Sequence, residues 1–373
     1  MATRASAADM VLVRGDDEPL VHGGDLGAAR RLFPDAPEPF VDLSTGINPH
    51  PYPVPRFSRA LVARLPDPAQ RDALAAAAAR TYGAPSAAHV VPAPGTQILL
   101  SLAASLVPEG LAAIPTPSYG EYTRAAIFAG HRVRTVRGID QCGDATLVIV
   151  GNPNNPDGRL LPRSDLLALA AELRRRRGIL VVDEAFMDVE PSSASLASVT
   201  SLASATSLAS VTSLGGDVDC GNVVVLRSFG KFFGLAGLRL GFALASPPIA
   251  ARLDAALGPW AVSAPALAAG VDALADGAWI DRTKQRLATA AKRLDAILAA
   301  GRLPVVGGTS LFRLVQTPVA NDLFRHLGHA GIWVRAFPEH PQWLRFGLPA
   351  GREQWRRLER AIASFGQGVG RSR

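Results

Sequence analysis

From residue 111 to residue 227, short apolar runs alternate with segments of helical period, and no other feature of the chain restricts its fold as much. Leu111–Ile114 reads as a strand and precedes a helix near Gly120–Gly130. Strand-like Arg132–Val136 and Thr146–Val150 come next, followed by a helix across Arg163–Arg177 and strand-like Ile179–Val182. Asn222–Arg227 reads as a further strand that runs into a glycine-rich turn at Gly230. Such alternation predicts an α/β fold, a large domain whose central, mostly parallel sheet is flanked by helices on both faces. From about Pro248 the pattern turns helical and includes the amphipathic segment Trp279–Ala300. Short strand-like runs return at Leu311–Val315, Ile332–Arg335 and Trp343–Phe346, which predicts a separate, smaller α+β domain.

With 373 residues, 48% of them hydrophobic, the chain has the material for two or three domain-sized units. No stretch approaches the ~18 uninterrupted apolar residues of a membrane helix. The first twenty residues carry charges where a signal peptide needs an apolar run. Cys142 and Cys220 are the only cysteines, too few for a disulfide scaffold or a four-cysteine zinc site. A cytoplasmic protein without a metal centre is expected. The net charge of +7 raises the question of nucleic acid, but the basic residues form neither a lysine-rich tail nor an aromatic-interleaved patch. The run Arg174–Arg177 reads as the solvated end of a helix. Neither a nucleic-acid nor a membrane partner is expected. Residues 195–212 repeat the hexapeptides SLASVT, SLASAT and SLASVT, small and polar enough to predict a mobile surface loop.

Only three of the 39 basic residues are lysines, Lys231, Lys284 and Lys292. The last two lie among arginines in the amphipathic segment and read as solvated charges. Lys231 differs, because Phe, Gly and Leu surround it within Leu226–Gly241. An amine there can be desolvated and lose its charge, as a Schiff-base nucleophile must. Ser228, three residues before it, and Arg239, eight after, offer a hydroxyl and a guanidinium to a phosphate. Asp183 stands at the C-terminal end of a buried strand, where α/β folds place their ligands. A carboxylate there can hold a pyridine nitrogen protonated, although metal and nucleotide sites also use strand-end Asp-Glu pairs. The turn-rich stretch Gly151–Gly158 makes Asn155 either a plain loop residue or a hydrogen-bond donor to a ring oxygen. Gly95 and Thr96 open the apolar helical run Ile98–Leu106, which suits a phosphate or an ordinary helix cap. A Gly-Lys-Ser/Thr phosphate loop is missing. Tyr119 reads equally as a stacking partner for an aromatic cofactor and as a half-buried tyrosine.

Taken in order, Gly95, Thr96, Tyr119, Asn155, Asp183, Ser228, Lys231, Arg239 and Arg345 resemble the fold-type I pyridoxal-phosphate enzymes. These are the class I and II aminotransferases and their relatives, and the resemblance spans roughly residues 20–365. It implies an aminotransferase-like fold, pyridoxal 5'-phosphate as cofactor, and Lys231 as the lysine that binds its aldehyde. It further implies that Asp183 pairs with the pyridine nitrogen, Asn155 with the ring 3-oxygen, and Tyr119 with the ring face. Gly95, Thr96, Ser228 and Arg239 would hold the cofactor phosphate. Arg345, within Trp343–Gly347, matches the arginine that takes a substrate carboxylate. Members of the family are homodimers with the active site at the subunit interface.

Within the family, three segments are similar to the branch that decarboxylates L-threonine O-3-phosphate in cobalamin biosynthesis. They are Val21–Asp25, Asp42–Pro49 and Asp183–Phe186, the last with phenylalanine where most aminotransferases have tyrosine. The nearest sibling branch transfers the amino group of histidinol phosphate. The first resemblance implies a small phosphorylated amino acid as substrate, its anionic groups met by Arg335 and Arg345 with His22 and Asn48 as polar partners. Arginine suits either anion through paired hydrogen bonds. The expected division is an N-terminal arm and part of the small domain at 1–50, the cofactor-binding large domain at 51–250, and interdomain helices with the C-terminal small domain at 251–373.

Overall fold

A computed structural model describes residues 23–190 and 212–369. His22 and, apart from Thr212, the hexapeptide repeat lie outside the described residues. The first strand, β1 (Val41–Leu43), belongs to a smaller sheet described below. The next seven form the large one: β2 (Val90–Ala93), β3 (Leu111–Pro115), β4 (Arg132–Val136), β5 (Leu147–Gly151), β6 (Ile179–Asp183), β7 (Val223–Ser228) and β8 (Gly241–Ala245). Their order is β2-β8-β7-β6-β5-β3-β4, and β8 alone runs antiparallel to its neighbours.

The central strands β5 and β6 are buried at every position, as a strand covered on both faces must be. Alternate side chains enter two different cores. Val148, Val150, Leu180 and Val182 face Leu166, Leu169 and Leu173 of the helix Arg163–Arg175. Leu147, Ile149, Ile179 and Val181 face Leu99 and Leu100 of Thr96–Ala104 and Ala125 of Glu121–Phe128. At ~1.5–3 kcal/mol for each fully buried aliphatic side chain, this two-sided burial holds the sheet in register. The register aligns Gly151 with Asp183 across β5 and β6. The carboxyl ends of β5, β6 and β7 therefore open together at one edge.

Four more strands build the smaller sheet with β1: β9 (Val305–Thr309), β10 (Phe312–Gln316), β11 (Ile332–Ala336) and β12 (Trp343–Gly347), in the order β1-β11-β12-β10-β9. The strand β1 runs parallel to β11, so a segment from the start of the chain completes a sheet built mainly from its end. Leu294 and Leu298 of the helix Gly277–Ala300, Leu323 and Leu327 of Ala320–His329, and Leu358 and Ile362 of Arg352–Val369 cover this sheet within the same core that underlies the large one. Phe186, just past β6, meets Phe312 of β10 edge-on at 5.0 Å between centroids, joining the two sheets. Among the described residues no helix is long and apolar enough to cross a membrane.

Most strands fall where the apolar runs lie, and Arg132–Val136 coincides with β4 from end to end. Four strands carry no such signal. β1 has only three residues, β2 contains Pro92, β8 follows the glycine-rich segment, and β9 contains Gly307 and Gly308. Proline is tolerated in β2 because that strand lies at the sheet edge, where a missing N–H breaks no ladder. The helix Arg163–Arg175 ends within the arginine run, whose four side chains are exposed.

Candidate active site

The carboxyl ends of β5, β6 and β7, the start of the helix Thr96–Ala104, and the strands β11 and β12 enclose a cavity of about 580 Å3. Lys231 enters it from a one-turn helix, Phe229–Phe232, directly after β7. Burial, reinforced by the Arg345 and Arg239 charges and opposed by Asp183, brings its amine down to about 8 from the ordinary 10.5. Phe186 lies beside it, with the Lys231 Nζ 5.7 Å from the ring centroid. The turn that carries the lysine is held from behind. Asn48 donates its backbone N–H to the Lys231 carbonyl at 3.0 Å and its side-chain Nδ2 to the Phe232 carbonyl at 2.8 Å. Asn48 is buried and lies outside the cavity wall, so the structure differs from its expected place as a substrate partner. Its amide is committed to the lysine's turn.

Asp183 closes the cavity floor at the end of β6. The Tyr122 hydroxyl donates to its Oδ2 at 2.9 Å, and the Ala185 N–H donates to its Oδ1 at 3.1 Å. Burial raises the carboxyl above its ordinary range, while those two donors and the Lys231 charge pull it back. Tyr119 lines the wall above, its ring edge-on to Tyr122 at 5.7 Å. Burial, then the Glu121 and Asp183 charges, push its phenol up to about 12, so it stays a neutral aromatic surface.

Asn155 and Arg345 meet across the cavity, with an Arg345 Nη1–H donating to Asn155 Oδ1. The second terminal nitrogen of Arg345 donates to the Ser44 carbonyl at 2.9 Å, while its Nε has no hydrogen-bond partner among the described residues. Arg345 and Arg335 stand directly opposite each other on β12 and β11. Burial lowers the Arg345 guanidinium to about 10, and the Arg335 charge adds to the effect. Two like charges at facing positions of a sheet repel, and an anion bound between them removes the penalty.

Gly95, Thr96, Ser228 and Arg239 come together at the other end. Gly95 has φ +90°, and a Cβ built there would lie 2.7 Å from Arg239 Nη2. A Cβ on Gly241 would lie 2.8 Å from the Thr96 nitrogen. The two glycines thus keep open a cradle of helix-start N–H groups, a hydroxyl and a guanidinium. That donor set suits a phosphate. Gly23 also lines the cavity.

Ser44, Thr45, Tyr122, Phe337 and His340 also line the cavity, and sequence reasoning did not single them out. Tyr122 had one signal, its position three residues after Tyr119 at a helix start, which brings two side chains together. A second group was also missed. Arg227, 0% exposed, lies 3.2 Å from Glu184 and 2.6 Å from Asp188, bonds the Ser213 hydroxyl at 3.2 Å, and sits 4.8 Å over the Tyr82 ring. Lys284, expected to be solvated, is half-buried beside this cluster, where burial lowers its amine and the Asp188 charge opposes that.

The profile described as aminotransferase class I and II matches residues 56–364. Over 350 residues the chain is 43% identical to a threonine-phosphate decarboxylase of Sinorhizobium sp, covering 92% of this chain and 98% of that protein. It is 38% identical over 352 residues to a threonine-phosphate decarboxylase of Pseudomonas aeruginosa, covering 93% and 98%. Among solved structures it matches the histidinol-phosphate aminotransferase of Sinorhizobium meliloti in complex with pyridoxal-5'-phosphate, with TM-score 0.76 and 22% identity over 92% of this chain and 95% of that one. This last likeness carries the fold. A sheet with one reversed strand, a lysine turn after β7 and a profile that spans most of the residues agree: the chain belongs to the class I and II aminotransferase family.

Proposed function

We propose that the chain is a pyridoxal-phosphate-dependent decarboxylase that converts L-threonine O-3-phosphate to (R)-1-amino-2-propanol O-2-phosphate and carbon dioxide, in the cytoplasm, as part of cobalamin biosynthesis. The observation that carries the choice of reaction is the 43% identity to a threonine-phosphate decarboxylase along almost the whole of both chains. Support for the substrate class comes from the facing cations Arg335 and Arg345, which fit a small molecule with both a phosphate and a carboxylate.

The residues present fit the cofactor. The cavity, about 580 Å3, lies within the range of small-molecule sites, and the cradle at Gly95 accepts a phosphate where a Cβ would fill it. When bound, the cofactor supplies an aldehyde that joins an amine and a protonated ring that draws electrons from the α-carbon. Lys231, whose amine is brought down to about 8, would hold the aldehyde carbon. Asp183 would keep the proton on the ring nitrogen. Asn155 would turn its amide N–H groups to the ring oxygen, since its Oδ1 is already taken by Arg345. Tyr119 would cover the ring face, and Gly95, Thr96, Ser228 and Arg239 would hold the phosphate. Arg335 and Arg345 would bind the substrate's anionic groups, while Asn48 positions the Lys231 turn.

The functional unit in this reading is a homodimer. Leu65 and Trp260, 66% and 57% exposed, are chain neighbours of Pro66 and Pro259, which line one small depression. Large apolar side chains left this exposed fit burial against a second copy of the chain.

An assay with L-threonine O-3-phosphate tests the activity. Release of carbon dioxide without any 2-oxo acid is the expected result. Amino transfer from histidinol phosphate to 2-oxoglutarate, with no carbon dioxide from the threonine derivative, would replace this reading with an aminotransferase. Borohydride reduction followed by peptide mapping should place the pyridoxyl label on Lys231 and not on Lys284 or Lys292.

A further inference from the structure

One buried tyrosine touches both residues that would face the cofactor ring. Tyr122, 2% exposed, sits in the first turn of the helix Glu121–Phe128. Its hydroxyl donates to Asp183 Oδ2 at 2.9 Å, and its ring packs edge-on against Tyr119, the planes 88° apart. Space for that hydroxyl depends on Gly151, which stands opposite Asp183 in the register of β5 and β6. A Cβ on Gly151 would lie 2.9 Å from the Tyr122 hydroxyl oxygen. Helix, strand end and carboxylate are thus fitted to one another around a single phenol.

We propose that Tyr122 is a positioning residue whose hydroxyl fixes the Asp183 carboxylate in one orientation and holds it as the anion, so that the proton shared with the cofactor's ring nitrogen stays on nitrogen. The inference rests on the reading of Asp183 as the partner of that nitrogen. Burial by itself favours the protonated acid at Asp183, and donated hydrogen bonds favour the anion. The groups that face the carboxylate are Tyr122 and Tyr119 from the helix and its lead-in, Lys231 from the turn after β7, and the Ala185 N–H. Of these, Lys231 would hold the cofactor's aldehyde and so would no longer offer a free ammonium. Tyr122 and the Ala185 N–H then remain as the donors on the anion. A carboxylate without Tyr122 would draw the proton away from the ring nitrogen and weaken the ring's pull on the α-carbon.

Tyr122→Phe removes the hydroxyl and keeps the ring against Tyr119. The test measures cofactor affinity of the full chain against pH, with folding checked by circular dichroism. Loss of one hydrogen bond to a charged group should move the acid limb of cofactor affinity upward by about one pH unit. Affinity then falls about tenfold on the acid side of the limb and stays within about twofold above it. A 3-fluorotyrosine placed at position 122, a stronger donor, should move the limb the opposite way. A tyrosine that merely fills space would give no shift in either protein, and that result overturns the inference. Asp183→Asn separates the two levels. If it abolishes tight cofactor binding while Tyr122→Phe leaves the limb in place, only the role of Tyr122 falls. If Asp183→Asn binds the cofactor as tightly as the parent, the reading of Asp183 itself fails, and the inference with it.

Discussion

The lowered basicity of the Lys231 amine is a property of its surroundings. Phe186 and the protein wall withhold water from the amine, and Arg345 and Arg239 add positive charge, which together bring it to about 8. A base whose folded value lies below its unfolded one stabilises the fold above the unfolded value, and that contribution is lost as pH falls through the folded value. For Lys231 this places rising stability of the cofactor-free protein between pH about 8 and the ordinary 10.5. Melting curves across that window should show the rise, and Lys231→Met should flatten it. The same titration governs capture of the cofactor by the free protein, whose rate should climb through pH about 8 and then level off. Stopped-flow mixing at a series of pH values would measure it. A rate that keeps climbing about tenfold per pH unit beyond pH 9, without levelling off, is what a lysine at its ordinary value would give, and would contradict the assigned environment of the amine.

At the scale of elements, a strand separates neighbouring residues into two environments. On β7, Ser228 turns to the cavity and Arg227 to the cluster behind it, and at the end of β6 Asp183 and the following Glu184 divide in the same way. Arg227 ties Glu184 and Asp188, beyond β6, to Ser213, which follows the undescribed segment. Removing one member of a buried ion cluster leaves the others desolvated and uncompensated, at a cost of about 3–5 kcal/mol. Arg227→Met should therefore lower stability by about that amount in urea unfolding, even though it lies outside the cavity. The arginine pair on β11 and β12 predicts the reverse sign. Inorganic phosphate should raise the melting temperature of the cofactor-free chain in a concentration-dependent way, because a ligand that binds only the folded state stabilises it. Part of that increment should vanish in Arg335→Met, with the remainder coming from the cradle at Arg239. An equal response in the two proteins would show that the pair does not hold an anion.

For the whole molecule, the proposed homodimer makes a prediction through exposed Leu65 and Trp260. Sedimentation of the parent chain should give a dimer, and Leu65→Asp combined with Trp260→Asp should shift it toward monomer with the secondary structure retained. The sheet order, with its reversed β8, reflects pairings that join distant segments, and this limits what the chain can announce locally. Local chemistry was legible. The β4 run has its own apolar pattern, Lys231 has apolar neighbours in sequence, and Asp183 ends a fully apolar strand. β2 was not legible, because Pro92 argues against a strand until β8 arrives from far along the chain to pair with it. Asn48 finds its hydrogen-bond partner 184 residues away, Tyr122 finds Asp183 at a separation of 61, and Arg227 finds Asp188 at 39. Nothing in the residues next to them names those partners. Periodicity and neighbouring composition thus determined the layered architecture and the apolar setting of Lys231, since burial of apolar surface is read out over a few residues at a time. Which polar group serves the lysine's turn, which braces the acid and which neutralises the buried arginine was decided only by tertiary structure, because hydrogen bonds and ion pairs depend on positions that the chain reaches by folding.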